Sequence, residues 1–398
     1  MKQFIKFCTT VTSLVVAVVM SCALSIQTSI PDNYIVTEGS TFSLNSKEYL
    51  SVHTERAFPT STSGSSFNAD IKFLGCIGVK TVNVKVAPKS SLLVCGTPFG
   101  IKMLTEGVIV TKISDIDSGK KVTSPAREAG LKEGDVILSI NGTSDLDNNT
   151  VSDIISSCGG NELDLTVSRD GETLNLKVTP LKTRSGDYLI GAWVRDSCAG
   201  IGTLTFYDPE SSTFGGLGHP VCDVDTGEIM PLDSGEIVNV KIIGVVKGTV
   251  GTPGELMGAF IPGGKLGTLK TNSEQGVFGE MSAPENFECM QAASRQEIKT
   301  GCAQILTTVD GVTPQYFDIV IEKVNMSDKN LTKNMTIKIT DPELLKITGG
   351  IVPGMSGSPI IQNGKLVGAV THVFVNDPTR GYAIFIENML QSAQSISQ

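Results

Sequence analysis

Apolar and polar positions divide the chain into stretches of different character. Met1 to Ser25 sets Lys2 and Lys6 ahead of an apolar run from Leu14 to Met20, and the small residues Ser21, Ala23 and Ser25 follow. This arrangement predicts an export signal or an N-terminal membrane anchor over residues 1–25. Residues 26–85 are polar and Ser/Thr-rich, least apolar between Thr54 and Asn68, before alternation resumes at Ile71-Lys72-Phe73-Leu74. We read that region as a spacer or stalk.

Beyond Val86 the pattern is of strands and turns with short helices between them. Phe99-Gly100-Ile101 opens a strand and Gly107 to Ile113 forms a second. Ser124-Pro125 through Ala129-Gly130 reads as a short helix, capped by Ser124 and ended by glycine. Gly134 to Gly142 is a strand closed by an Asn-Gly turn. Asp147 to Ser157 is an amphipathic helix with Val151, Ile154 and Ile155 on one face, and Leu163 to Val178 is a hairpin around Asp170-Gly171. After Thr179, glycines cluster between Gly215 and Gly279, and alternation recurs at Val238 to Val246, Tyr316 to Val324 and Met335 to Ile339. Short strands with glycine-rich turns predict a β-barrel or a pair of barrels, with Ala292 to Ile305 as the one interrupting helix.

Composition agrees with a β-rich, multidomain chain: 398 residues, 42 glycines and 17 prolines at 40% hydrophobic content. A net charge of -9 repels phosphate backbones, so nucleic acid is not an expected partner. The nine cysteines show neither the close pairing of a disulfide scaffold nor a C-x-x-C for zinc. No metal and no cofactor is expected. Asp225-Thr226-Gly227 and Asp233-Ser234-Gly235 imitate aspartic-protease loops, but they lie too close together to belong to separate lobes, and we read them as turns.

The densest chemistry lies in Gly349-Gly350-Ile351 through Gly354-Met355-Ser356-Gly357-Ser358-Pro359. A serine flanked in this way sits on a tight turn before a strand. Gly354 lets the chain curl so that the N–H groups of Gly354 and Ser356 converge on one point, as an oxyanion hole requires. A serine hydroxyl needs a base, and only His53, His219 and His372 are available. His219 follows Gly216-Leu217-Gly218, where an imidazole is presented rather than packed, and is the favoured base; His372 reads as a pocket wall.

Ser124-Pro125-Ala126 through Ala129-Gly130-Leu131 to Gly134-Asp135 and Ile140-Asn141-Gly142 resembles a PDZ domain of the circularly permuted bacterial kind. The resemblance implies a loop whose N–H groups hold a peptide's terminal carboxylate, and Pro98-Phe99-Gly100-Ile101 matches it. Gly218-His219, Asp223-Val224-Asp225-Thr226-Gly227 and the Ser356 turn, placed after such a domain, resemble the SpoIVB peptidase family of endospore-forming bacteria. The implied fold is mainly β: a PDZ domain over 86–182, then a chymotrypsin-like double β-barrel serine peptidase domain over 183–398. The implied activity is that of an exported serine endopeptidase that processes itself. Its implied partner is a regulatory membrane protein in the space between forespore and mother-cell membranes, whose cleavage releases an intramembrane protease acting on a sigma-factor precursor. His219 resembles the family's base, Ser356 its nucleophile and Asp341 the aspartate that orients the base, with Asp223 the next candidate for that role. Alternatives are a catalytically inactive PDZ scaffold and an envelope quality-control serine protease.

Overall fold

The computed structural model describes residues 2–39, 42–44, 49–54, 64–327 and 330–396. Lys2–Ser29 is one helix, and its Thr9–Thr28 part, with a mean hydropathy of 2.0, is long and apolar enough to cross a membrane. The helix is compatible with a signal peptide or an anchor.

Much of the expected spacer is folded. Asn33–Thr37 pairs in parallel with Ile77–Ala87, which pairs antiparallel with Ser66–Phe73, and Leu50–Thr54 closes the sheet. Tyr34, Val36, Ala69, Ile71, Val82, Val84 and Val86 alternate into a shared core. The low average hydrophobicity hid this period-two pattern, which is what lets one sheet face bury. Of the least apolar stretch, Thr54 to Asn68, residues 55–63 lie outside the described residues, and Ser66 to Asn68 belong to the strand Ser66–Phe73.

Apart from two short ribbons, Ile116–Asp117 with Val122–Thr123 and Leu181–Lys182 with Tyr188–Leu189, the remaining strands form one continuous sheet that closes on itself and encloses separate cores. The first barrel's core gathers Phe99, Ile101, Met103, Leu204, Phe214, Ile237, Leu269 and Val277. The second gathers Ile305, Phe317, Ile319, Ile337, Met355, Val370 and Phe385, among others. The fold is thus mainly β, a PDZ-type module joined to a chymotrypsin-like double barrel. The two are not simply consecutive. Pro98–Ile113 is a single strand whose first half pairs with both Ala192–Asp208 and Leu232–Val246 in the first barrel. Its second half pairs with the start of Ala192–Asp208 and with Val136–Ile140 in the PDZ-type core of Val108, Val110, Ile137, Val151, Ile155 and Leu165. The chain leaves the barrel on one strand and returns on its neighbour.

The helices of the module lie where the sequence puts them. Ser124 caps Pro125–Glu128, and Asp147 caps Asn148–Ser157 by accepting the N–H of Thr150 at 2.6 Å. Ala292 to Ile305 is not a helix. It is a 3-10 turn at Arg295–Glu297 followed by the strand Gly301–Thr307. Arg295 is buried against Glu387 and Gln362 accepts the N–H of Lys299, so tertiary partners rather than a helical ladder satisfy this segment.

Candidate active site

The Ser356 turn is built by glycines and clamped by the first barrel. Gly354 (φ 98) and Gly357 (φ 95) are left-handed. A Cβ on Gly357 would lie 2.0 Å from the Thr203 carbonyl, so only glycine fits there. Thr203 donates its N–H to the Ser356 carbonyl at 2.9 Å and its hydroxyl to the Gly354 carbonyl at 2.8 Å, and Thr205 Oγ1 donates to Gly357 at 2.7 Å. These bonds hold the carbonyls of the loop in place. Among the described residues the N–H groups of Gly354 and Ser356 donate to no main-chain carbonyl, whereas those of Met355, Gly357 and Ser358 do. Ser356 Oγ itself donates to the Thr371 carbonyl at 2.8 Å.

His219 is carried out of the strand Thr213–Gly216 by two left-handed residues, Leu217 (φ 65) and Gly218 (φ 70). Its Nδ1 lies 2.8 Å from the Pro220 carbonyl. A carbonyl only accepts, so Nδ1 carries the proton and Nε2 is left as the basic nitrogen. Burial holds the imidazole below its ordinary pKa, opposed by the Pro220 bond. His219, Ser356, Gly354, Thr371 and His372 line one cleft of about 480 Å³ between the barrels.

The expected aspartate is not there. Asp341 is the N-cap of the helix Pro342–Thr348: Oδ1 accepts the N–H groups of Glu343 and Leu344 at 2.9 and 3.0 Å, and Oδ2 that of Asp318 at 3.3 Å. It does not line the cleft. Asp223 is buried and faces Arg195, and it also accepts the N–H groups of Asp225 and Thr226. Its carboxyl is held below the usual range: burial works against this, but those N–H groups and Arg195 prevail. The residue beside His219 is His372, with ring centroids 5.1 Å apart and planes tilted by 41°. Burial, His219 and Lys333 push His372 down to about 4.

The segment expected as the carboxylate loop is a barrel strand. Pro98, Phe99, Gly100 and Ile101 are buried in a strand paired on both edges, and a Cβ on Gly100 would meet the Phe260 ring at 2.5 Å. Burying Phe99 in the barrel is worth about 2 kcal/mol, and a strand with both edges paired has no N–H left for a ligand. The apolar-glycine-apolar pattern recurs at Ile190-Gly191-Ala192, with Gly191 at φ 79. That loop opens Ala192–Asp208, whose first residues pair with Ile109 to Ile113 and pack beside the helix Asn148–Ser157. The same pattern is visible in the sequence but lies past residue 182, the expected end of the module.

Ser356 from one barrel and His219 from the other thus line one cleft, and a PDZ-type module is spliced into the first barrel. Residues 186–390 match the SpoIVB peptidase S55 family and residues 75–179 match a PDZ domain. The chain belongs to the SpoIVB peptidase S55 family. It is also 41% identical over 93 residues to a protein of Lactococcus lactis subsp. lactis (strain IL1403) named as a zinc metalloprotease, LL2128, which covers 23% of this chain and 21% of that one. It is 47% identical over 57 residues to serine protease HTRA1 of Xenopus tropicalis, covering 14% and 12%. The chain therefore spans only a minor part of the length of both curated relatives. The structure of the HtrA-type protease AlgW with tripeptide aligns at 16% identity and a TM-score of 0.31, over 50% of this chain and 56% of that one.

Proposed function

We propose that the chain is an exported serine endopeptidase in which Ser356 is the nucleophile and His219 the general base. The observation that carries this reading is the shared cleft, with a serine whose turn frees two N–H groups opposite an imidazole whose Nδ1 is already bonded. Ser356 Oγ releases the Thr371 carbonyl and gives its proton to His219 Nε2 as it bonds to the scissile carbonyl carbon. Charge develops on the former carbonyl oxygen and is received by the N–H groups of Gly354 and Ser356. The tetrahedral species expels the amine, which takes the proton from His219. Water then hydrolyses the acyl-serine with His219 again as base.

Resemblance to the SpoIVB peptidases supports a role in sporulation signalling: self-processing, and cleavage of a membrane-anchored regulator between the forespore and mother-cell membranes. That cut would release an intramembrane protease acting on a sigma-factor precursor. The apolar helix Lys2–Ser29 is consistent with delivery across a membrane. The PDZ module would hold a chain terminus while the barrels cut. Intact-mass measurement of the purified full chain and of Ser356→Ala tests the reading: the parent should yield defined fragments and the variant none. Equal fragmentation of both would refute it.

A further inference from the structure

Among the described residues no carboxylate lines the cleft with His219. Asp341 caps a helix outside the cleft and Asp223 is taken up by Arg195 and its own turn. What lies against His219 is a second imidazole, from the strand Lys365–Phe374. Resting on the serine-base reading above, we propose that His372 is a positioning residue for His219, fixing its ring and stabilising the imidazolium that forms when Ser356 gives up its proton.

Three observations support it. The centroid separation of 5.1 Å is a contact distance for two rings, so His372 limits how far His219 can rotate. Its neighbour Thr371 accepts the Ser356 hydroxyl, so one short piece of strand contacts both partners of the proton transfer. The remaining groups around the pair do not replace it. Lys333, lying 5.3 Å over the Tyr382 ring, is a cation, and Tyr382 pairs with His372 across the sheet. Cys198 and Cys222 line the cleft, and the Asp223 carboxylate behind them is neutralised by Arg195. The Pro220 carbonyl accepts the Nδ1–H of His219, and His372 adds a neutral imidazole against the ring itself, kept neutral by partial burial, His219 and Lys333.

The test is the pH dependence of kcat/KM for peptide hydrolysis by the full chain carrying His372→Phe, His372→Ala or His372→Asp, beside the parent, Ser356→Ala and Asp341→Asn, each checked for folding by its melting temperature. His372→Phe keeps a ring without a basic nitrogen, and we expect kcat to fall about ten- to a hundredfold with KM within about twofold. The acid limb should move to lower pH in His372→Phe and His372→Ala, because His219 loses the group that favours its charged form. His372→Asp places an anion there and should raise the limb by about one pH unit or more and recover part of the rate lost in His372→Ala. Asp341→Asn should leave the limb in place. If His372→Phe keeps the parent rate and no His372 variant moves the limb, or if Asp341→Asn alone moves it, His372 is only a wall and the inference is overturned. If Ser356→Ala cuts as fast as the parent, the serine-peptidase reading itself has failed, a separate outcome.

Discussion

At the level of single residues, the turns that carry Ser356 and His219 were legible because each is a local glycine pattern, and the structure brings both to one cleft. The orienting residue was not. An aspartate before Pro-Glu reads as an N-cap as readily as a catalytic group, and it is the cap that the fold uses. Losing that cap should cost about 1 kcal/mol, so Asp341→Ala should lower the midpoint of urea unfolding while leaving kcat near the parent value. A collapse of kcat in a folded Asp341→Ala protein would restore the aspartate to the mechanism. His219 must be neutral to accept a proton, and burial lowers its pKa, so it stays competent to lower pH than a free imidazole. The acid limb of kcat/KM should therefore lie below the ordinary imidazole midpoint of about 6.5. A limb above that value would mean that an anion supports His219 in solution.

At the level of elements, the short capped helices and the hairpins of the PDZ-type module were readable because their signals are local. The errors came where pairing is long-range. Pro98 to Ile101 has the apolar-glycine-apolar pattern of a carboxylate loop, yet it joins a barrel strand because Leu232–Val246, far along the chain, supplies its second edge. Ala292 to Ile305 looks helical until Glu387 and the strand Gln315–Val324 claim it. These placements change what a substitution should do. Gly100→Val pushes a side chain into Phe260 and Val238, so it should lower the melting temperature and reduce hydrolysis of short and tethered substrates alike. Selective loss of tethered-substrate cleavage in a protein of parent stability would return that segment to the peptide groove.

At the level of the whole molecule, insertion of the PDZ-type module between paired strands of the first barrel was hidden, since sequence order shows modules in succession and not which strands they share. The junction is also where the module and the His219 loop meet. Asp196 accepts the N–H of Asn148 at the start of the module's helix, and its neighbour Arg195 binds the buried Asp223 in the turn that follows His219. Removing Arg195 leaves a buried carboxylate unpaired. Arg195→Ala should destabilise the fold by about 3 kcal/mol at neutral pH. Because the folded pKa of Asp223 is lowered, its contribution is present above the unfolded carboxylate pKa and is lost as pH falls through the folded value, so the deficit should narrow in acid. Urea titrations across that range check both points, and a pH-independent deficit would assign the loss to packing. The central claim, a Ser356 nucleophile activated by His219 in the cleft between the barrels, is tested most directly by treating the full chain with a fluorophosphonate and mapping the adduct by mass spectrometry. We predict one adduct, on Ser356, formed quickly in the parent and Asp341→Asn and slowly in His219→Ala. An adduct on another residue, or equally fast labelling of Ser356 without His219, would contradict the account.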